Sequence, residues 1–134
     1  MKKSATLLLF GLGLLAAAPA NADPARDTIL KDYATAAGVA SFSADAGKTL
    51  FQANHTGGKP DTPSCTTCHT ADPRQPGKSR VGKPIEPMAV SANPSRFTDA
   101  AKVEKWFRRN CTSVLGRECT AEEKGNIITY LSSL

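Results

Sequence analysis

The chain has 134 residues, with 17 basic and 12 acidic side chains and a formal net charge of +5 at neutral pH. This length suits one domain better than two, because domains typically contain about 100–150 residues. The modest positive charge does not indicate a nucleic-acid-binding protein, since such proteins usually carry a strongly basic face.

The N-terminus has the features of an export signal. A basic pair at residues 2–3 precedes an apolar run at 7–18, and residues 20–22 match the A-x-A cleavage pattern. The run is too short for a membrane span, which needs about 20 apolar residues. We therefore predict a cleaved Sec-type signal peptide over residues 1–22, and a periplasmic mature domain at 23–134 with no membrane span. That domain keeps 15 basic and 12 acidic residues, a formal charge of +3, and we expect it to be a monomer.

Four helices and no strand are predicted in the mature chain, so the fold class is all-α. Between the second and third helices, residues 60–94 contain seven of the nine prolines, which interrupt regular structure. A loop of this length needs something to organise it. The predicted helices are Asp27–Ala37 with Gly38 as the stop, one capped by Ser43, one opened by Thr98 and Asp99, and one that begins with a capping box at Thr120–Glu123.

The Pro-rich segment contains Cys65-Thr66-Thr67-Cys68-His69, the C-x-x-C-H attachment signature of c-type haem. Two thiols at this spacing can add to the two vinyl groups of one porphyrin, and the imidazole of His69 can then bind the iron as proximal ligand. A thioredoxin-like redox pair would require a βαβ context, and a zinc site would favour a second close cysteine pair. We predict one covalent haem c on Cys65, Cys68 and His69, wrapped by the Pro-rich loop.

The third helix carries an unusual asparagine. Val103, Trp106, Phe107 and Asn110 share one helix face, so Trp106 is predicted to line the haem pocket and Asn110 points into an apolar interior. An unpaired buried amide costs about 1–3 kcal/mol, so a partner is expected. Asparagine also tolerates the left-handed conformation that ends helices. The spacing by itself favours this helix-ending role for Asn110 over iron ligation.

Met88 and His55 are the other candidates for the second axial position of the iron. Met88 would give an ordinary electron carrier, but it follows His69 by only 19 residues, which is short for a chain passing round the porphyrin. His55 lies ten residues before the start of the attachment motif, in a Gly- and Pro-rich loop. We interpret Met88 as a pocket-lining residue and His55 as a solvent-exposed one.

Two cysteines and three cations complete the candidate set. An even remainder of cysteines in an exported protein predicts a disulfide, here Cys111–Cys119.

Lys102, Lys105 and Arg109 lie off the apolar face of the third helix and are expected to be exposed. These three cations either form an ordinary solvated surface or attract an acidic electron-donor protein to this side of the helix.

Several stretches resemble class I c-type cytochromes, and in finer detail the sphaeroides haem protein (SHP) family of small monohaem cytochromes. The resemblance spans nearly the whole mature chain. The stretches are GK-x-LF at Gly47–Phe51, GGKPDTPSCTTCH at Gly57–His69, GK-x-I-x-P at Gly82–Pro87, SANPSRFTDAAKVEKWFRRNC at Ser91–Cys111 and VLGRECTAEEKG at Val114–Gly125.

This resemblance implies a class I cytochrome c-like domain in which Asn110 binds ferric iron opposite His69, and Cys111 pairs with Cys119. It also implies binding of small diatomic ligands (O2, NO or CO) after reduction, and electron exchange with a partner cytochrome. At position 88 the family usually has another aliphatic residue, so Met88 keeps a simple His/Met electron-transfer cytochrome as the alternative. No protein acid or base is recognisable as catalytic, so any turnover would belong to the iron and the bound gas.

Overall fold

The computed structural model describes residues 22–134. The predicted signal peptide therefore lies outside the described residues, apart from Ala22. Within the described part of the chain, no helix is long and apolar enough to cross a membrane.

The described chain is mostly helical, as predicted, with one small hairpin. The elements are α1 Pro24–Ala37, α2 Ala44–Gln52, α3 Thr66–His69, β1 Gly77–Lys78, β2 Pro84–Ile85, α4 Ala100–Leu115 and α5 Ala121–Ser132. The prediction of no strand is wrong for the two-residue strands, which pair antiparallel with Gly77 opposite Ile85. A pair this short leaves no alternating pattern in the sequence.

The predicted helix starts are confirmed where a side chain caps the backbone. Ser43 accepts a hydrogen bond from the Ala46 amide at 3.1 Å, and Thr120 forms the predicted capping box. The first helix begins three residues earlier than expected, because Asp23 caps it and Pro24 suits the first helical position. Asp99, rather than Thr98, caps α4.

The helix-ending role favoured for Asn110 is wrong. Helix α4 continues to Leu115, and Gly116 takes the left-handed conformation at φ 72°. Glycine has no Cβ to strain in that conformation, so it ends the helix at little cost. Asn110 is therefore an interior residue of α4 and needs another explanation.

The core lies where α5 crosses α2 and α1. Gly47 allows the closest approach, since a Cβ there would lie 2.0 Å from the carbonyl oxygen of Asn126. Around this crossing Phe51, Ile128 and Leu131 are almost fully buried. Their contact fixes α2, and with it the chain that leads into Cys65–His69.

Two arginines organise the Pro-rich segment. Arg26 of α1 is buried and donates to the carbonyls of Pro94 at 2.8 Å and Arg96 at 3.0 Å. Arg96 in turn donates through Nε to the Pro87 carbonyl at 2.8 Å, and through Nη2 to that of Glu86. Backbone carbonyls in irregular segments need such donors when they are buried. The segment is therefore ordered by side chains from outside it.

Candidate haem site

Ser64 ties the attachment motif to helix α2. Its buried hydroxyl donates to the Phe51 carbonyl at 3.2 Å and accepts from the amide of Thr66 at 3.2 Å. The amide of His69 donates to the Cys65 carbonyl at 3.0 Å, which closes the single turn of α3. Residues three and four apart share a helix face, so Cys65, Cys68 and His69 lie on neighbouring positions.

The two thiols have the properties of attachment cysteines rather than of a redox pair. Both are partly buried and neither forms a disulfide. Burial, reinforced by the nearby Cys68, raises the pKa of Cys65 to about 11. A C-x-x-C redox pair instead needs a lowered pKa, because its thiolate is the nucleophile. A thiol kept neutral fits a thioether bond to a porphyrin better than disulfide exchange.

The imidazole of His69 is held neutral. Burial, with a further contribution from the charge of Arg96, lowers the pKa of His69 to about 4. A neutral ring keeps the lone pair that a metal requires. Phe51 lies against it with the ring centroids 6.2 Å apart, and Nδ1 is buried without a hydrogen-bond partner among the described residues.

A zinc site finds no support in the donor set. Within residues 22–134, no group of three or more His, Cys, Asp or Glu side chains could hold a metal ion. Two thiols beside one neutral imidazole instead match what a covalently attached iron porphyrin requires.

Helix α4 presents Asn110 at the border of the core. Val103 and Phe107 are buried on that face, as expected, and Asn110 is half-buried. The carboxamide makes no hydrogen bond to any other described residue. The amide is therefore available to a partner from outside the polypeptide.

Trp106 is less buried than its position on the apolar face suggests. It remains 47 % exposed, with Lys105 Nζ 5.9 Å and Arg109 Cζ 5.5 Å from its ring centroid. Lys102, Lys105 and Arg109 are all exposed, as predicted. Trp106 therefore offers a large apolar surface that the described protein does not cover.

The predicted disulfide is confirmed. Cys111 and Cys119 are bonded, with their Cα atoms 5.6 Å apart, and both are buried. The bond joins the residue after Asn110 to the segment that caps α5 at Thr120. It restrains the part of α4 that carries the carboxamide.

The backbone of Met88 lies beside the chain that follows the attachment histidine. The amides of Met88 and Ala89 both donate to the Pro73 carbonyl at 2.9 Å, and Pro73 is four residues beyond His69. The side chain is partly buried and packs against the core. Met88 is therefore a packed side chain, and its place in the haem pocket stays a prediction.

His55 is not the solvent-exposed residue that its loop suggested. It is half-buried, with Nε2 3.0 Å from the Leu50 carbonyl, and its amide donates to the Pro63 carbonyl at 2.7 Å. These contacts let it join the end of α2 to the loop before the attachment motif.

A polar cluster that sequence reasoning missed joins three helices. The hydroxyl of Tyr33 donates to Glu104, whose carboxylate also accepts from Lys124 Nζ at 2.8 Å. Burial by itself would raise the pKa of the Glu104 carboxyl, but the hydrogen bonds from Lys124 and Tyr33 leave that pKa below its usual value. Neither this cluster nor the contacts of Arg26 can be read from a short stretch of sequence, because the hydrogen-bond partners lie 20–71 residues apart along the chain.

Comparisons with known proteins agree on one family. Residues 37–131 match the family described as "Domain of unknown function (DUF1924)". The cytochrome c-type protein SHP of Cereibacter sphaeroides is 50 % identical over 123 residues, covering 91 % of this chain and 95 % of that protein.

Solved structures extend the agreement to the fold. The structure of oxidised SHP, described as an oxygen-binding cytochrome c, superposes with a TM-score of 0.78 at 50 % identity over 81 % of this chain and 96 % of that chain. The solution structure of cytochrome c'' from Methylophilus methylotrophus, concerned with haem-ligand detachment, gives a TM-score of 0.65 at 34 % identity over 79 % of this chain and 90 % of that chain. The described chain therefore has the cytochrome c fold and belongs to the SHP family of c-type cytochromes, with a covalently attached haem c.

Proposed function

We propose that this protein is a periplasmic monohaem cytochrome in which Cys65 and Cys68 hold the haem and His69 binds the iron. Asn110 would bind the iron as its second protein ligand in the ferric state. It is released on reduction, so that a diatomic molecule (O2, NO or CO) can bind. The observation that carries this proposal is the half-buried carboxamide of Asn110, which has no hydrogen-bond partner among the described residues.

When bound, the haem would supply an iron that changes between ferric and ferrous states and that side chains and small molecules can ligate. The amide oxygen of Asn110 is a hard, neutral donor that suits Fe(III) better than Fe(II). Reduction would therefore weaken the hold of Asn110 on the iron, while the softer imidazole of His69 would remain bound. Once released, the amide N–H of Asn110 can donate a hydrogen bond to a ligand bound nearby.

The relatives support both parts of the proposal. The SHP structure is described as oxygen binding, and that of cytochrome c'' as informative on haem-ligand detachment. The same iron must be reduced for ligand binding to begin, so an electron donor, which we take to be another cytochrome, is part of this function. Any turnover belongs to the iron and the bound gas.

A His/Met electron carrier is the alternative, and the contacts of Met88 do not favour it. Both Met88 and Ala89 donate to the Pro73 carbonyl, and Arg96 holds the two preceding carbonyls. These hydrogen bonds tie the backbone around Met88 to the chain just beyond His69 and so restrict where its thioether can reach.

Carbon monoxide binding to the reduced protein tests the open ferrous site. We expect the dithionite-reduced wild type to bind carbon monoxide readily, with the Soret shift of a ferrous haem adduct. Asn110→Ala should alter the ferric spectrum yet keep ferrous binding, while Met88→Leu and the exposed-residue control Asn54→Ala should leave both states unchanged. A six-coordinate ferrous haem that resists carbon monoxide until Met88 is replaced would establish the electron-carrier alternative.

Covalent attachment is tested separately by intact mass and haem staining of denaturing gels. The wild type should carry one porphyrin that does not extract into acidified butanone. Replacing Cys65 and Cys68 by Ala should abolish stable retention. A porphyrin-free wild-type mass would contradict the assignment of these cysteines.

A further inference from the structure

The hairpin β1–β2 rests directly on the backbone of the attachment motif. Gly77 is buried there, and a Cβ at this position would lie 2.1 Å from the Cys68 carbonyl oxygen and 3.1 Å from His69 Cα. Only glycine permits this approach, so the base of the hairpin touches the two residues that hold the haem and its iron.

The tip of the hairpin is ordered by its own hydrogen bonds. Ser79 donates its amide to the Lys83 carbonyl at 2.8 Å and accepts from the Lys83 amide through Oγ at 3.0 Å. The amide of Gly82 also donates to the Ser79 carbonyl at 2.9 Å, and Gly82 has φ 80°. A tip held in this way loses little conformational entropy when a partner binds.

The ordered tip carries an apolar side chain surrounded by cations. Val81 is 80 % exposed, more than any other large apolar side chain of the described residues. Lys78, Arg80 and Lys83 surround it in sequence and are all exposed, and residues 77–85 contain no acid. Arg80 is oriented by Asp61, with Nη2 2.8 Å from the carboxylate.

We propose that this hairpin tip, residues 78–83, is the docking surface for an acidic electron-donor protein. The inference rests on the proposed function, which requires such a donor, and it adds where the donor binds. Val81 would enter an apolar depression of the donor while the three cations face its carboxylates, an arrangement that gives both specificity and a fast encounter. One electron leaves the reduced donor and reduces the ferric protein to the ferrous state; the transfer makes no covalent bond between the two proteins, and the only bond that it would loosen is the proposed one from Asn110 to the iron.

The composition of the tip favours a protein over a lipid surface. Segments that recognise anionic lipid carry about four to eight basic residues, and here there are three. Burying the single valine contributes less than stable membrane anchoring requires. The cationic side of α4 is the competing protein surface, because Asn110 and Trp106 lie on the same helix, so the test compares the two surfaces directly.

Reduction kinetics of the ferric holoprotein test the proposal. The probes are flavodoxin hydroquinone, an acidic one-electron donor protein, and neutral lumiflavin semiquinone, a small donor that needs no docking surface. The hairpin variant is Lys78→Glu with Lys83→Glu. The matched control, with the same change in charge on α4, is Lys102→Glu with Lys105→Glu.

We expect the hairpin pair to lower the flavodoxin rate constant by about tenfold at low salt and to flatten its salt dependence. Val81→Ser should lower the rate several-fold without changing the salt dependence. Reduction by lumiflavin should stay the same in every variant. Carbon monoxide binding, measured on the same samples, tests the ligand-binding function independently of docking.

Three results would overturn the docking assignment. They are a wild-type flavodoxin rate in the hairpin pair, an equal or larger loss in the α4 pair, and binding of the wild type to phosphatidylglycerol vesicles that the hairpin pair abolishes. The last result would identify an anionic membrane as the partner.

Discussion

Replacing Gly47 by Ala should break the crossing of α2 and α5. The added Cβ would lie 2.0 Å from the Asn126 carbonyl oxygen and 2.9 Å from the Ile127 amide nitrogen, and neither backbone atom can rotate away. The first distance must grow by roughly 1.4 Å to reach ordinary contact near 3.4 Å.

A separation of this size removes much of the packing around Phe51. A gap of about 0.5–1 Å already forfeits a quarter to a half of the dispersion energy between facing atoms. We expect a loss of about 3–5 kcal/mol in the free energy of unfolding, the range of large core deletions. Domains are stable by about 5–15 kcal/mol in total, so the variant should be close to unfolding.

Guanidinium unfolding of the holoprotein, followed by far-ultraviolet circular dichroism, measures this loss. Gly38→Ala is the matched control, because Gly38 has φ 69° but no atom within 4 Å of its Cβ position. Its cost should be only about 1–2 kcal/mol, that of a left-handed alanine. If Gly47→Ala lost no more than Gly38→Ala, the argument from close helix approach would be wrong.

Three further predictions concern the contacts that join the helices. The pKa of Glu104 is lower in the folded protein than in the unfolded chain, so the stability that this carboxylate contributes is present above the unfolded pKa and is lost as pH falls through the folded pKa. Glu104→Gln should therefore make the free energy of unfolding in urea depend less on pH between neutral and acidic conditions. An unchanged pH profile would exclude the Lys124 contact as the source of this dependence. Replacing Cys111 and Cys119 by Ser should lower the free energy of unfolding by roughly 2.5 kcal/mol, and thermal melts that match the wild type would show that the bond does not stabilise the fold. Arg26→Met should cost about 2–4 kcal/mol in urea unfolding, because two loop carbonyls lose a charged donor, and Arg26→Lys should recover part of it; equal losses in both would contradict this hydrogen-bonding role.

The helix starts and the disulfide were within reach of sequence reasoning. Ser43 and Thr120 form their caps with amides three residues away, so the interaction is local and its signature is readable. The pairing of Cys111 with Cys119 needed no geometry either, since the attachment motif uses the other two cysteines.

The surroundings of Asn110, the candidate second ligand of the iron, are harder to predict from the sequence. The left-handed preference of asparagine suggested a helix end at Asn110, but Gly116 is the better stop and ends α4 later in the chain. His55 was misjudged in a similar way, because its loop composition says nothing about the Leu50 carbonyl that its ring contacts.

The attachment signature alone predicted a covalent haem, because two thiols and an imidazole at that spacing are a local chemical pattern. Only the tertiary structure decided which contacts surround that pattern. The Arg26 side chain reaches a carbonyl 70 residues away, and Gly77 meets Cys68 through a turn of the chain that no periodicity describes. Such contacts depend on how close two backbones come after the helices have packed, and that distance is a property of the folded chain.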